Sequence, residues 1–181
     1  MKSLHLPLLG IAVMLLIASC KKDDVTDSSL QNENNSNPVS VVASIDSASG
    51  WMTLNNWDTI NQQKFDLYYA TIKDDKVTSS AADNGLVLVY MKNNNGSVVR
   101  LPFEEKADGH DYYWYYQVSE GNILISCDAD NAAQTPNEAN GFKSVVLSAD
   151  ELKQLEAKDY TKGKLMTMSY SQVKDIVDSN K

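Results

Sequence analysis

The chain is short of the residues that most catalytic and nucleic-acid-binding sites depend on. It has two cysteines and two histidines in 181 residues, and one of each, His5 and Cys20, falls among the first twenty. The remaining pair, His110 and Cys127, is too small a set for a zinc site of the usual nitrogen and sulfur ligands. It is also the only pair from which a thiol nucleophile and its base could be drawn. With Cys20 set aside, no intramolecular disulfide can form. Positive charge is in deficit as well: 16 Lys+Arg against 24 Asp+Glu leave a formal charge of −8. Without clustered Lys and Arg to neutralise phosphates, nucleic acid is not an expected partner. Paired carboxylates for acid–base work are missing too, since Glu104 and Glu105 are adjacent and on a strand would point to opposite faces. Asp128-Ala129-Asp130-Asn131 opens like a calcium loop, but Ala132 and Ala133 stand where a carboxylate or amide and then glycine are needed. The chain is therefore expected to have no catalytic residues, no metal and no cofactor.

What is present begins with an address. Lys2 precedes the apolar run Leu6–Ile17, whose twelve residues fall short of the roughly 20 that span a bilayer. The run ends in two small residues and a cysteine, which is the form of a signal peptide. Ile17-Ala18-Ser19-Cys20 resembles the bacterial lipobox. That resemblance implies cleavage after residue 19, a diacylglycerol on the Cys20 thiol and a further acyl chain on the new amine. Two or more chains anchor a protein stably, at about 0.8 kcal/mol per buried CH₂, so the expected partner of acylated Cys20 is a lipid bilayer. Lys21-Lys22-Asp23-Asp24 resembles the charged sequence that follows the lipidated cysteine in Bacteroidota lipoproteins, which implies an outer-membrane anchor with the protein displayed on the cell surface. Residues 20–38 read as a tether: Val25–Asn37 is rich in Ser, Asn, Asp and Gln, has no apolar periodicity, and gives an r.m.s. reach of about 20–25 Å.

Residues 39–181 read as one domain, of a size that buries roughly 70% of its unfolded surface. Val39, Val41, Ala43 and Ile45 alternate with polar residues as a half-buried strand does. Further strands are expected at Trp51–Leu54, Phe65–Ile72, Leu86–Lys92, Ser97–Leu101, Asp111–Ser119, Gly121–Asp128 and Phe142–Leu147. Asn95-Gly96 and Gly121 mark tight turns between successive pairs, and Ser79–Gly85 fits one helical turn. The period then changes. Ser148 with Glu151, and Ser169 with Gln172, form capping boxes before the apolar residues of two short helices. The expected fold is mainly β, an immunoglobulin-like antiparallel β-sandwich of seven or eight strands with short C-terminal helices. Asp83–Tyr90, Leu101-Pro102-Phe103, Gly121–Ile125, and Tyr170 with Val173 resemble a family of small Bacteroidota lipoproteins. That resemblance implies no activity, and this chain departs from it in the Tyr112–Tyr116 run and the helix after Ser148.

The aromatic run is the most unusual stretch. On a strand Tyr112, Trp114, Tyr116 and Val118 share one face, and Tyr113, Tyr115 and Gln117 the other. The Trp114 face is expected in the core. Tyr113 and Tyr115 either pair across strands or form an exposed stacking surface. Trp57, among Asn55, Asn56 and Asp58, reads as a loop residue able to present its ring to a ligand. Ile123, Ile125, Cys127 and Ala129 fall on one strand face, which makes Cys127 a core thiol, and His110 sits in a stretch that reads as a solvated loop. The function expected is a membrane-anchored, surface-displayed, non-catalytic binding module. Its ligand is a glycan or an envelope protein, met by Trp57, Tyr113 and Tyr115. The alternative is a structural or assembly component of an envelope complex.

Overall fold

The computed structural model describes residues 44–45, 50–62, 64–107, 109–130, 135–136 and 139–180. The leader, Cys20, the tether and all of the first expected strand except its last two residues lie outside the described residues.

Among the described residues ten strands form two antiparallel sheets. The first contains β1 (Ser44–Ile45), β2 (Met52–Thr53), β5 (Leu86–Lys92), β6 (Val98–Arg100) and β10 (Gly141–Leu147), in the order β1-β2-β10-β5-β6. The second contains β3 (Asp58–Asn61), β4 (Phe65–Lys73), β7 (Phe103–Ala107), β8 (His110–Ser119) and β9 (Asn122–Asp130), in the order β3-β4-β9-β8-β7. Four helices among the described residues accompany them: α1 (Ser79–Asn84), α2 (Ala149–Glu156), α3 (Lys162–Leu165) and α4 (Tyr170–Asp178). The fold is mainly β.

Strand alternation explains the core. Val87, Val89 and Met91 of β5 and Phe142 of β10 meet Tyr68, Ala70 and Ile72 of β4, Trp114 of β8, and Ile123, Ile125 and Cys127 of β9 in one buried cluster. The inner faces of the two sheets thus pack on each other. Leu86, Leu88 and Tyr90, the alternate residues of β5, belong to a second cluster with Leu147, Leu152, Leu155, Leu165 and Val173. The C-terminal helices therefore cover the outer face of the first sheet. A strand buried on both faces has no polar side, which is why Leu86–Met91 reads as an unbroken apolar run.

Both capping boxes form, at Ser148 with Glu151 and at Ser169 with Gln172. The first short helix is capped by Thr78 rather than Ser79, its hydroxyl accepting from Ala81 N, and ends at Gly85. There a Cβ would stand 2.2 Å from the Leu147 carbonyl oxygen, so only glycine lets β10 pass so close. Gly96, at φ 86°, supplies the left-handed residue of the β5–β6 turn. Three elements differ from expectation. β3 and β7 are edge strands of weak apolar alternation, and α3 adds a third C-terminal helix of four residues.

Candidate functional site

The second sheet has an outer face with no helix on it among the described residues, and strand register determines which side chains it presents. Tyr113 stands opposite Asp128 on β9 and Glu104 on β7, and Asp128 stands opposite Leu67 on β4. One cross-strand row therefore reads Glu104, Tyr113, Asp128, Leu67. Next toward the Gly109 turn, Lys106 stands opposite Asp111 and Asp130 opposite Phe65, with the Asp111 N–H donating to Asp130 Oδ2 at 3.3 Å to complete a second row, and the row on the other side reads Tyr115, Ser126, Tyr69. Between the first two rows lies a cleft of about 480 Å³, lined by their residues other than Leu67 together with Lys64 and the strand segments between them. Its volume lies within the range typical of small-ligand sites.

Tyr113 is the most exposed aromatic side chain here, at 42% of its surface. Its ring lies 5.6 Å from that of Tyr115 with the planes inclined by 32°, a tilted stack. Tyr115 is half-buried, and its hydroxyl donates to Asp128 Oδ1 at 3.2 Å. Burial and then the Asp128 carboxylate push the Tyr115 phenol above its usual pKa, so it keeps the proton it donates. The supporting ring is thus tied to the sheet while the outer ring stays open to solvent. The charged groups of the neighbouring row are paired. Lys106 Nζ holds Asp111 Oδ1 at 2.6 Å, and His110 Nδ1 lies 2.8 Å from Asp130 Oδ1. On this outer face the lining carries four carboxylates, Glu104, Asp111, Asp128 and Asp130, against two lysines, so the cleft is net negative.

The structure brings Tyr113 and Tyr115 together and leaves Trp57 apart from them. Instead of a loop ring held out to solvent, Trp57 is partly buried against the core. It packs edge-on against Trp114 at 5.8 Å and Phe142 at 6.2 Å, on the inner side of the sheet. Asn55 and Asn56 are exposed, but the turn into β3 swings the indole inward, where its N–H finds no acceptor among the described residues. His110 is likewise corrected from a loop residue to the first residue of β8, because the turn at Gly109 is tight and strand pairing resumes at once. Cys127 is fully buried, and burial raises its thiol pKa far above the usual range. Its Sγ lies 3.9 Å from the Asp128 carbonyl oxygen, whereas His110 contacts Asp130. Glu104 is exposed and Glu105 half-buried, as strand alternation requires.

Among the described residues, no group of three or more His, Cys, Asp or Glu side chains is arranged to hold a metal ion, and no helix is long and apolar enough to cross a membrane. The sequence reading did not foresee that Glu104 and Asp128 flank Tyr113, since residues far apart in the chain meet only once hairpin register is fixed. Comparison with protein-family models, curated proteins and solved structures finds no match to this chain.

Proposed function

We propose that this chain is an outer-membrane lipoprotein of the Bacteroidota type, anchored through acylated Cys20 and displayed on the cell surface, whose domain is a non-catalytic module that binds glycan on the outer face of its second sheet. The observation that carries the reading is Tyr113, an aromatic ring left open to solvent but backed by a second, tethered ring beside a ligand-sized cleft. Aromatic faces stack on the apolar faces of sugar rings, and carboxylates beside them accept from sugar hydroxyls. A binding role is favoured over catalysis because Asp111, Asp130 and Asp128 already serve Lys106, His110 and Tyr115, while the Cys127 thiol is shut in the core. The immunoglobulin-like description belongs to the same proposal. It is supported by two antiparallel sheets between which the chain crosses repeatedly, with the helical layer as an addition.

The test has two arms. Intact-mass analysis of protein from its native host should show a chain beginning at an acylated Cys20, and protease added to whole cells should digest it. In affinity electrophoresis, polysaccharide in the gel should retard the wild type and not Tyr113→Ala. An unmodified residue 20 with the leader still attached refutes the anchor. Equal mobility of wild type and variant in every polysaccharide refutes the glycan site. A second reading, an assembly component of an envelope complex, is favoured by Ile60 on β3, opposite Leu67 and 48% exposed. It predicts cross-links from that end of the sheet to a protein partner.

A further inference from the structure

We infer that the ligand of this cleft is an uncharged oligosaccharide, a chain of pyranose rings without uronate, sulfate or phosphate groups. The inference rests on the glycan reading above and narrows it to a class.

The argument is one of charge and of hydrogen-bond direction. Lys106, the lysine opposite Asp111, is already held by that carboxylate at 2.6 Å. Glu104 has no ion pair among the described residues, and Asp128 answers only the phenol of Tyr115. The two carboxylates flanking the exposed ring of Tyr113 in its own row thus make no ion pair among the described residues, and the carboxylates of the lining outnumber its two lysines, Lys64 and Lys106. An anionic sugar stacked on Tyr113 would lie between them, and like charges brought together at a partly dehydrated surface repel. A sugar bearing only hydroxyls meets the opposite situation. Each hydroxyl is a donor, and each ionised carboxylate is an acceptor with no proton of its own to offer. Charge-assisted bonds of that kind are the stronger class. The cleft also crosses β7, β8, β9 and β4, three interstrand steps of about 4.8 Å or roughly 14 Å in all, which accommodates a short oligosaccharide rather than one ring.

The experiment uses the full acylated chain in detergent micelles, applied to a glycan microarray carrying neutral oligosaccharides beside uronate- and sulfate-bearing ones. Wild type, Tyr113→Ala and Glu104→Lys are compared. The expected result is retention on neutral glycans, weakened at least tenfold by Tyr113→Ala and changed less than twofold between 20 and 500 mM NaCl, since no ion pair is made. Glu104→Lys, on an exposed edge-strand position, should raise the signal on uronate glycans several-fold. Binding confined to anionic glycans overturns the inference and leaves the glycan reading intact. Neutral binding that Tyr113→Ala leaves unchanged overturns the assignment to this cleft. Binding to no glycan removes the reading and the inference together. Circular dichroism of both variants, matching wild type, shows that any loss comes from the site and not from unfolding.

Discussion

Substituting two adjacent aromatic residues should separate fold from function. Trp114→Ala removes a side chain that is 1% exposed and that packs on Trp57 and on Phe142, each at 5.8 Å between ring centroids. Truncating a buried tryptophan to alanine costs about 3–5 kcal/mol. Part of that is returned, because the Trp114 indole N–H is buried without an acceptor and an orphaned donor costs the native state about 1–3 kcal/mol. The net expectation is at the lower end of the range, about 3 kcal/mol. Tyr113→Ala removes a ring 42% exposed whose ring contact is the single stack on Tyr115. A pair of that kind contributes about 0.5–1.5 kcal/mol, so about 1 kcal/mol is expected. Urea unfolding followed by far-ultraviolet circular dichroism gives both values from the midpoints, provided the slopes agree. The same two proteins applied to a polysaccharide gel should show the reverse order: Tyr113→Ala folded and unretarded, Trp114→Ala weakened in stability but retarded wherever it remains folded. Stabilities equal within about 0.5 kcal/mol would refute the assignment of the two faces. So would a larger loss from Tyr113→Ala.

Three further outcomes are expected. Gly85→Ala would put a Cβ 2.2 Å from the Leu147 carbonyl oxygen and 2.9 Å from Ala81 Cα. An overpacking cost of about 2–3 kcal/mol follows, or a fall in Tm of roughly 5–10 °C by calorimetry, and a change under about 2 °C would contradict the close approach of β10. Trp57→Phe keeps edge-on contacts to Trp114 and Phe142 while deleting the unpartnered N–H. It should change stability by less than about 1 kcal/mol and leave glycan retention untouched, whereas reduced retention would return Trp57 to the site. Alkaline pH should destabilise the domain. Burial pushes Tyr90 from 10.0 up to about 12 and raises Cys127 above its ordinary 9.0. The unfolded chain therefore gives up these protons first, binds fewer than the native state above pH 9, and gains on it as pH rises. Stability from these groups should be flat below pH 9 and decline from there through 12, with Tyr90→Phe removing the part that sets in above 10. An unchanged slope in that variant would refute it.

Much of the fold is legible in the chain because strong periodicity and turn chemistry agree. Leu86–Lys92 is recovered residue for residue, and the capping boxes place α2 and α4 to within a residue at their starts. β3 and β7 are hidden for a physical reason. Edge strands have one neighbour and half-solvated side chains, so Asp58–Asn61 and Phe103–Ala107 need carry little apolar alternation. Trp57 misleads because its polar neighbours report the solvent around Asn55 and Asn56, while a large ring can leave that solvent by one rotation of the backbone. The site itself is half legible. Alternation alone puts Tyr113 and Tyr115 on one face, and a two-residue turn at Glu120-Gly121 implies that Tyr113 opposes Asp128. Following the register back through the turn at Gly109 adds Glu104. What composition hides is that no helix among the described residues shields this face, since the capping boxes announce helices without saying which sheet they will cover.

That choice of sheet accounts for the character of the outer surface. Two sheets have four faces; two make the core, and the C-terminal helices bury a third. The fourth carries three tyrosines, Tyr69, Tyr113 and Tyr115, where serine, threonine and lysine would suffice for a wetted sheet. Tyr69 and Tyr115 flank Ser126 in the register and leave it 3% exposed although it points outward. Tyr113, stacked on Tyr115 at 5.6 Å, continues this aromatic row to the lining of the acidic cleft. Rings held in this way have little conformational freedom left to lose when a ligand stacks on them, so the free energy of stacking is spent on affinity rather than on ordering the site. A flexible loop tryptophan of the kind expected at Trp57 would begin with that entropy still to lose. Under the proposed function the tyrosines are preorganised by the strand that carries them, and the proposed binding surface falls on the face of a sheet rather than in its loops.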